Sequence, residues 1–424
     1  MGGQNQKLVL QGKVRRLSLN YYTQDHIMVP STAIITHCRS LSIFGYAEQK
    51  PPLSMFPVLR VLDIENGEDM ESSYTKHIRK LIQLKYLRLN VRSVAELPEK
   101  LGELQHLQTL DLRRTNIRKL PESFIRLQNL TYLRVNNLDL PEGIGHLHAL
   151  QELTEIRISQ DCLASSLLEL RSLTKLRFFG LHWCITQAHI DYKVFADNLV
   201  SSLRKLGRLN LRTICILGYY ACSIEFLLDS WFPSPHLLQS FAMGMNYHFP
   251  RVPSWIASLD NLTCLEINID LVDEKVIQIL GDLPVLIFLW LTSKEAGPNE
   301  RLVIRSNMFV CLKEFHFTCW RNWEGLMFEA GAMAKVEMLW VSFDAGGSVL
   351  DFGIQHLASL RHLIVEIVCG GATLREVEAL EDAIRHSADL LPCHPAVEVR
   401  TWDEEKMVKE EVQIMAEEKI HTNS

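Results

Sequence analysis

One spacing governs this chain: an apolar residue, two others, a second apolar residue, one other, then a third. It reads Leu84-Leu87-Leu89, Leu107-Leu110-Leu112, Leu130-Leu133-Val135 and Leu153-Ile156-Ile158. It continues as Leu173-Leu176-Phe178, Leu206-Leu209-Leu211 and the less regular Leu238-Phe241-Met243. Then follow Leu262-Leu265-Ile267, Leu286-Leu289-Leu291, Leu312-Phe315-Phe317, Val336-Leu339-Val341 and Leu360-Leu363-Val365. Looser copies stand upstream at Val14-Leu17-Leu19, Cys38-Leu41-Ile43 and Leu59-Leu62-Ile64. First positions run from 14 to 360 over about fifteen units, a mean period of roughly 25 residues, within the range for leucine-rich repeats. The last two apolar residues lie two apart, so on a strand they share a face. Stacking such strands in parallel buries that face in one continuous core, which no single unit can do alone.

The return path of each unit is also written in the chain. Leu97-Pro98-x-x-Leu101-x-x-Leu104 recurs from Leu120-Pro121, Leu140-Pro141 and Val252-Pro253. The i, i+3 spacing suits a short helical turn, with Pro at a start where no N–H is needed. The expected fold is therefore an α/β solenoid, a leucine-rich-repeat horseshoe with a parallel concave sheet. Two units are over-long, at 33 and 32 residues, and their excess lies in Thr186–Ser202 and Tyr219–Pro235. Their apolar residues (Phe195, Leu199; Phe226, Leu227, Trp231) predict docked helices or loops on the convex side. After Gly370-Gly371, Thr373-x-x-Glu376 has capping-box spacing before Leu374, Val377, Leu380 and Ile384. Val397–Trp402 then alternates as a strand. The organisation read from this is an extension over 1–13, the solenoid over 14–368, a helix–strand cap over 369–402 and an acidic tail over 403–424. From Asp403 to Ser424 there are seven acids and three lysines, a net −4 out of a whole-chain −6.

The LPxxIxxLxxLxxLxL units, the stretch Asp229–His236 (DSWFPSPH) and the end LREVEALEDAIRHSADLLPCHPAVEVRTW resemble the repeat half of grass intracellular immune receptors. Those are the coiled-coil nucleotide-binding leucine-rich-repeat disease-resistance proteins. The resemblance runs from about Val14 to Trp402. It implies a non-enzymatic protein-binding module of plant innate immunity. Its partner would be a pathogen effector, a guarded host protein or a nucleotide-binding receptor domain, acting in cis or in trans. One departure counts: no G-x-x-x-x-G-K-[ST] phosphate loop occurs, so the chain reads as the repeat domain alone, from a truncated relative or an incomplete gene. The alternative is a cytosolic leucine-rich-repeat signalling scaffold or adaptor, similar to Ras-binding repeat proteins.

Other chemistry is sparse. The slightly acidic balance argues against nucleic acid as a partner. No run of 18 apolar residues predicts a membrane span, and no apolar stretch after Met1 reads as a secretory signal. The ten cysteines form no C-x-x-C pair and read as reduced thiols of a cytoplasmic protein. His146-x-His148 and His386…His394 lack partners at zinc spacing, so no metal and no cofactor is expected. The Asn-x-Thr triplets at Asn129 and Asn261 read as parts of the repeat rather than glycosylation sites.

The informative positions lie between the second and third apolar residues, pointing outward. Arg88, Arg134, Arg157 and Arg177 fall there, and at an inter-strand spacing of about 4.8 Å the last three are expected to form a ladder. Arg113 and Arg212 flank it. Further along, Trp290, His316 and Trp340 make an aromatic strip, with Phe288 and Phe179 also expected outward. The arginine row is expected to meet an acidic protein surface and the tryptophan strip an apolar one.

Overall fold

A computed structural model describes residues 13–22, 35–45, 50–65, 72–218, 222–231, 234–244, 246–297, 301–321, 325–345, 353–391 and 393–408. Most of the extension and of the acidic tail, and Phe232–Pro233 of the DSWFPSPH stretch, lie outside these. The chain forms two compact units, Met1–Leu211 and Arg212–Ser424.

The first unit is a ladder of parallel strands: β1 (Arg16–Asn20), β2 (Ser40–Phe44), β3 (Val61–Glu65), β4 (Tyr86–Asn90), β5 (Thr109–Asp111) and β6 (Tyr132–Arg134). The short β7 (Leu138–Asp139), β8 (Glu152–Ile158) and β9 (Phe178–Trp183) follow. Sequence spacing becomes register directly. Leu41, Leu62, Leu87, Leu110 and Leu133 align as one row, all at 0 % exposure. The LP segments close as 3-10 turns, among them Leu101–Glu103, Glu122–Arg126 and Ile144–His146. Three residues per turn keep the i, i+3 leucines on one side, facing the core. Turns of adjacent units approach closely: a Cβ on Gly102 would stand 2.1 Å from the Ser123 carbonyl oxygen. Repeat asparagines tie one unit to the one before, Asn129 donating to the Gln105 carbonyl at 2.8 Å and Asn210 to that of Thr174 at 2.8 Å.

The excess around Thr186–Ser202 is a helix, α1 (Tyr192–Gly207), which buries Phe195, Leu199, Leu203 and Leu206. It is pinned by Ser202 Oγ and Asn198 Nδ2, which donate to the carbonyls of Leu167 and Ala164 at 2.6 and 2.9 Å.

The second unit repeats the plan with β10 (Thr213–Gly218), β11 (Ser240–Met243), β12 (Cys264–Val272), β13 (Phe288–Ala296), β15 (Glu314–Cys319), β17 (Met338–Asp344), β18 (His362–Val368) and β19 (Ala396–Trp402), all parallel. Away from this ladder, β14 (Leu302–Ile304) and β16 (Leu326–Phe328) pair with each other. Helix α2 (Glu274–Gly281) starts at Asp273, whose carboxylate accepts the Val276 N–H at 2.9 Å. Helix α3 (Leu374–Asp389) carries the Thr373/Glu376 capping box and buries Val377, Leu380 and Ile384. It connects β18 to β19, so the C-terminal helix and strand add one more rung to the ladder. Within the DSWFPSPH stretch Trp231 is an internal brace, 1 % exposed and packed on Trp255 at 5.0 Å between ring centroids. Asn261 donates to the His236 carbonyl at 2.8 Å, the role of Asn129 repeated.

Three units sit differently from the sequence reading. In β8 the row of Leu133 continues at Leu153, after Leu150, and residues Thr154–Glu155 form a bulge before Ile156. Glu155 there has φ 45°, and Gly180 lies opposite, where a Cβ would approach the Glu155 nitrogen to 3.0 Å. In β9 the row falls on Phe179, not Leu176; Phe179, expected outward, is fully buried. Leu206 ends α1, and the next strand takes Leu211, Ile214 and Ile216 instead of Leu206-Leu209-Leu211. The cause is common to all three. Leu147, Leu150 and Leu153, like Leu170, Leu173 and Leu176, are spaced by three throughout. A run of i, i+3 leucines does not mark where the turn ends and the strand begins.

Candidate functional site

The outward arginines of the first unit are engaged within the chain. Arg88 reaches Asp63 at 3.3 Å and Glu65 at 3.1 Å, both on β3. Arg134 holds Glu152 of β8 in a two-point pair, Nε to Oε1 at 2.8 Å and Nη2 to Oε2 at 3.0 Å, and its guanidinium lies 5.6 Å from the Tyr132 ring. Arg157 meets Asp139 of β7 at 2.5 Å. Arg113 donates from its backbone and its guanidinium to Asp111, a carboxylate only 1 % exposed. Each basic side chain thus meets its acid one strand away or two residues along, and the face these four cover is close to neutral.

The expected ladder of Arg134, Arg157 and Arg177 does not form. Thr154 follows Leu153 beside Arg134, its hydroxyl accepting from the Val135 N–H at 2.9 Å. Arg157 lies beyond the bulge, in register with Asp139 and His182. Arg177 precedes β9, is exposed, and its N–H meets the Gln151 carbonyl at 2.8 Å. The bulge and the slipped β9 register put the three arginines in three different rows.

A basic row that sequence reasoning missed lies at the entry to the strands. Backbone hydrogen bonds of 2.8 Å join Arg39 to Arg15, Arg60 to Arg39 and Lys85 to Arg60. All four are exposed, and among the described residues none has an ion-pair partner. With His37, Val58 and Ile82, the three arginines border a shallow groove. The signal was present two residues before the second leucine of each unit, a position the outward-residue rule did not inspect.

The aromatic strip of the second unit forms as its spacing predicts. Trp290, His316 and Trp340 occupy one register row on β13, β15 and β17. Ring centroids are 5.3 Å apart for Trp290–His316 and 5.0 Å for His316–Trp340, and Phe288 adds an edge 5.3 Å from His316. His316 Nε2 lies 2.7 Å from the Glu314 carboxylate, which fixes the ring between the two indoles. Trp290 and Trp340 remain part-exposed, so the row is a shelf of aromatic faces supported from beneath by Leu289, Phe315 and Leu339. Glu266 of β12 lies in register beside Trp290, with Ala242 beyond it. At the other end Arg400 of β19 places its guanidinium 5.0 Å from the Trp340 ring, held by Glu398 at 2.8 Å and Glu366 at 3.3 Å. Arg400 was invisible as a site residue because its strand lies outside the regular period.

The ten cysteines form no disulfide. Among the described residues no three of His, Cys, Asp and Glu gather as a metal site, and no helix is long and apolar enough to cross a membrane. The geometry offers contact area, aromatic faces and carboxylates, the equipment of a binding surface.

Comparison with known proteins agrees with this architecture. The chain is similar to the rice (Oryza sativa subsp. japonica) disease resistance protein RGA5, 27 % identical over 368 residues, covering 84 % of this chain and 32 % of that protein. It is similar to rice disease resistance protein Pik-2, 24 % identical over 428 residues, with 88 % of this chain and 41 % of the relative covered. The chain therefore spans about a third to about two-fifths of the length of these relatives. Among solved structures, a leucine-rich-repeat protein of Leptospira interrogans superposes with a TM-score of 0.52 at 17 % identity, over 91 % of this chain and 95 % of that one, a likeness of fold. The family profile described as the leucine-rich repeat region matches residues 37–397, and with the strand register above it establishes that the chain belongs to the leucine-rich-repeat family.

Proposed function

We propose that the chain is a non-catalytic protein-binding module of plant disease resistance, working in the cytoplasm. It recognises a pathogen molecule or a guarded host protein, or engages a nucleotide-binding receptor domain in cis or in trans. The observation that carries this reading is the breadth of the similarity to rice resistance proteins, 84–88 % of the chain, which covers both units. The aromatic shelf supports it. Part-exposed Trp on a rigid sheet is the residue type that most often anchors a protein interface, because its large face is desolvated without much loss of rotamer freedom. Arg88, Arg134 and Arg157 of the first unit add specificity more than anchoring, since they are already paired and a partner would have to compete with Asp63, Glu152 or Asp139.

The test is affinity capture from healthy and infected leaf tissue with the full chain and with a Trp290→Ala/Trp340→Ala variant of matched thermal stability. The expected result is a defined set of proteins retained by the unmodified chain and lost by the variant. Identical capture profiles would refute the shelf as the anchor. Retention of nothing but chaperones in both tissues would refute the recognition role.

A further inference from the structure

We propose that Glu266 and Trp290 form the receiving half of a site for an arginine or lysine side chain presented by a protein partner. The inference rests on the protein-binding reading and names the chemistry that surface selects: a cation, not the apolar patch the exposed tryptophans first suggest.

The chain itself supplies the template. At the far end of the shelf, Trp340 carries a guanidinium on its face, and that guanidinium is held by two carboxylates, Glu398 and Glu366. An indole face attracts a cation through its quadrupole, and a carboxylate beside it fixes the donor directions. The near end has the same indole and a carboxylate in the adjacent register position, and among the described residues no lysine or arginine pairs with that carboxylate. Among the described residues Glu266 has no hydrogen-bond or ion-pair partner, while other acids of this face are occupied. Glu314 meets His316, Asp270 meets Lys294, and Glu366 and Glu398 share Arg400.

Glu266 is also half-buried, and burial pushes its carboxyl above the ordinary carboxylate range, with only His316 opposing. An ionised carboxylate held part-way out of water without a counter-charge is a cost the fold bears until a cation arrives. The next residue in the row is Ala242, whose methyl group offers Glu266 neither a donor nor a counter-charge. A planar guanidinium can stack on the indole and still aim two N–H groups at one carboxylate. Arginine is therefore preferred to lysine.

The test reads Trp290 directly. The protein is labelled with 5-fluorotryptophan, and the Trp290 signal among the eight tryptophans is assigned by its loss in Trp290→Phe. The probes are the capped tripeptide Gly-Arg-Gly and its citrulline counterpart, which has the same shape and no charge. The expected result is a saturable shift of the Trp290 signal with the arginine peptide and an affinity at least about tenfold weaker with citrulline. Glu266→Gln keeps the shape and should weaken arginine binding to the citrulline level while leaving the melting temperature equal or higher. Arg400→Ala should make the Trp340 signal respond to the arginine peptide, because it vacates the internal copy of the site. No saturable Trp290 shift, or an unchanged one in Glu266→Gln or with citrulline, overturns the proposal. If the cation site fails while capture from leaf still depends on Trp290 and Trp340, the protein-binding reading stands alone. If arginine binds but captured proteins ignore the shelf, the reverse holds.

Discussion

Replacing Leu110 with Ala, beside a parallel replacement of Arg134 with Ala, tests which face of the sheet carries the stability. Leu110 is at 0 % exposure, in register with Leu87 and Leu133, themselves at 0 %. Truncation removes buried methyl groups and leaves a cavity whose walls are held by strands on both sides, so collapse is limited. The expected loss is in the upper half of about 2–5 kcal/mol. Arg134 stands on the other face with a side chain 32 % exposed. Its pair with Glu152, part-screened by water, contributes about 0.2–1 kcal/mol, and its contact with Tyr132 adds about 0.5–1 kcal/mol. Truncation should therefore cost no more than about 2 kcal/mol, and an Arg134→Ala/Glu152→Ala double variant less than the single one, because no lone carboxylate remains. Urea unfolding gives the global figures. Amide exchange in β5 and β6 gives the local ones, since repeat arrays open piecemeal. An Arg134→Ala loss equal to that of Leu110→Ala would mean the two faces are assigned backwards.

Gly102→Ala should destabilise by about 1–3 kcal/mol, because the new methyl meets the Ser123 carbonyl at 2.1 Å and the two turns must separate; a melting shift under one degree would contradict this. Thr373→Ala removes the α3 cap and should cost about 0.5–2 kcal/mol, with amide exchange accelerating first in Leu374–Val377. Burial raises the Cys319 thiol from 9.0 to about 11, so the folded chain keeps that proton where the unfolded chain loses it. Its contribution is flat below pH 9, and stability falls between pH 9 and 11. Native alkylation at pH 8 should leave Cys319 unmodified in mass spectra, while unfolding in denaturant exposes it.

Two-residue alternation announces a sheet with one buried face, so Leu87, Leu110, Leu265, Leu289 and Leu339 were placed correctly from spacing alone. The aromatic shelf was legible for the same reason, because Trp290, His316 and Trp340 belong to units of near-constant length. The arginine ladder failed where the period did. Unequal units intervene there, from Leu133 to Leu153 and from Leu153 to Phe179, the leucines run by threes through turn and strand alike, and the Thr154–Glu155 bulge moves Arg157 along its strand. No spacing rule reports an internal acid. The pairing of Arg88 with Asp63 and of Arg134 with Glu152 depends on residues 25 and 18 positions away in the chain. Glu266 stood in the outward row, yet its lack of a partner could be seen only once Arg400 had been found at the other end.

Ionic strength acts with opposite signs on two adjacent rows of the first unit. The paired arginines of β4 to β8 lose attraction as salt rises. Arg15, Arg39, Arg60 and Lys85 are like charges on backbones one strand step of about 4.8 Å apart, and a screening length of about 10 Å at 0.1 M spans two such steps. Low salt therefore strengthens the repulsion along the basic row, and a multivalent anion that bridges two of its side chains relieves it without touching the core.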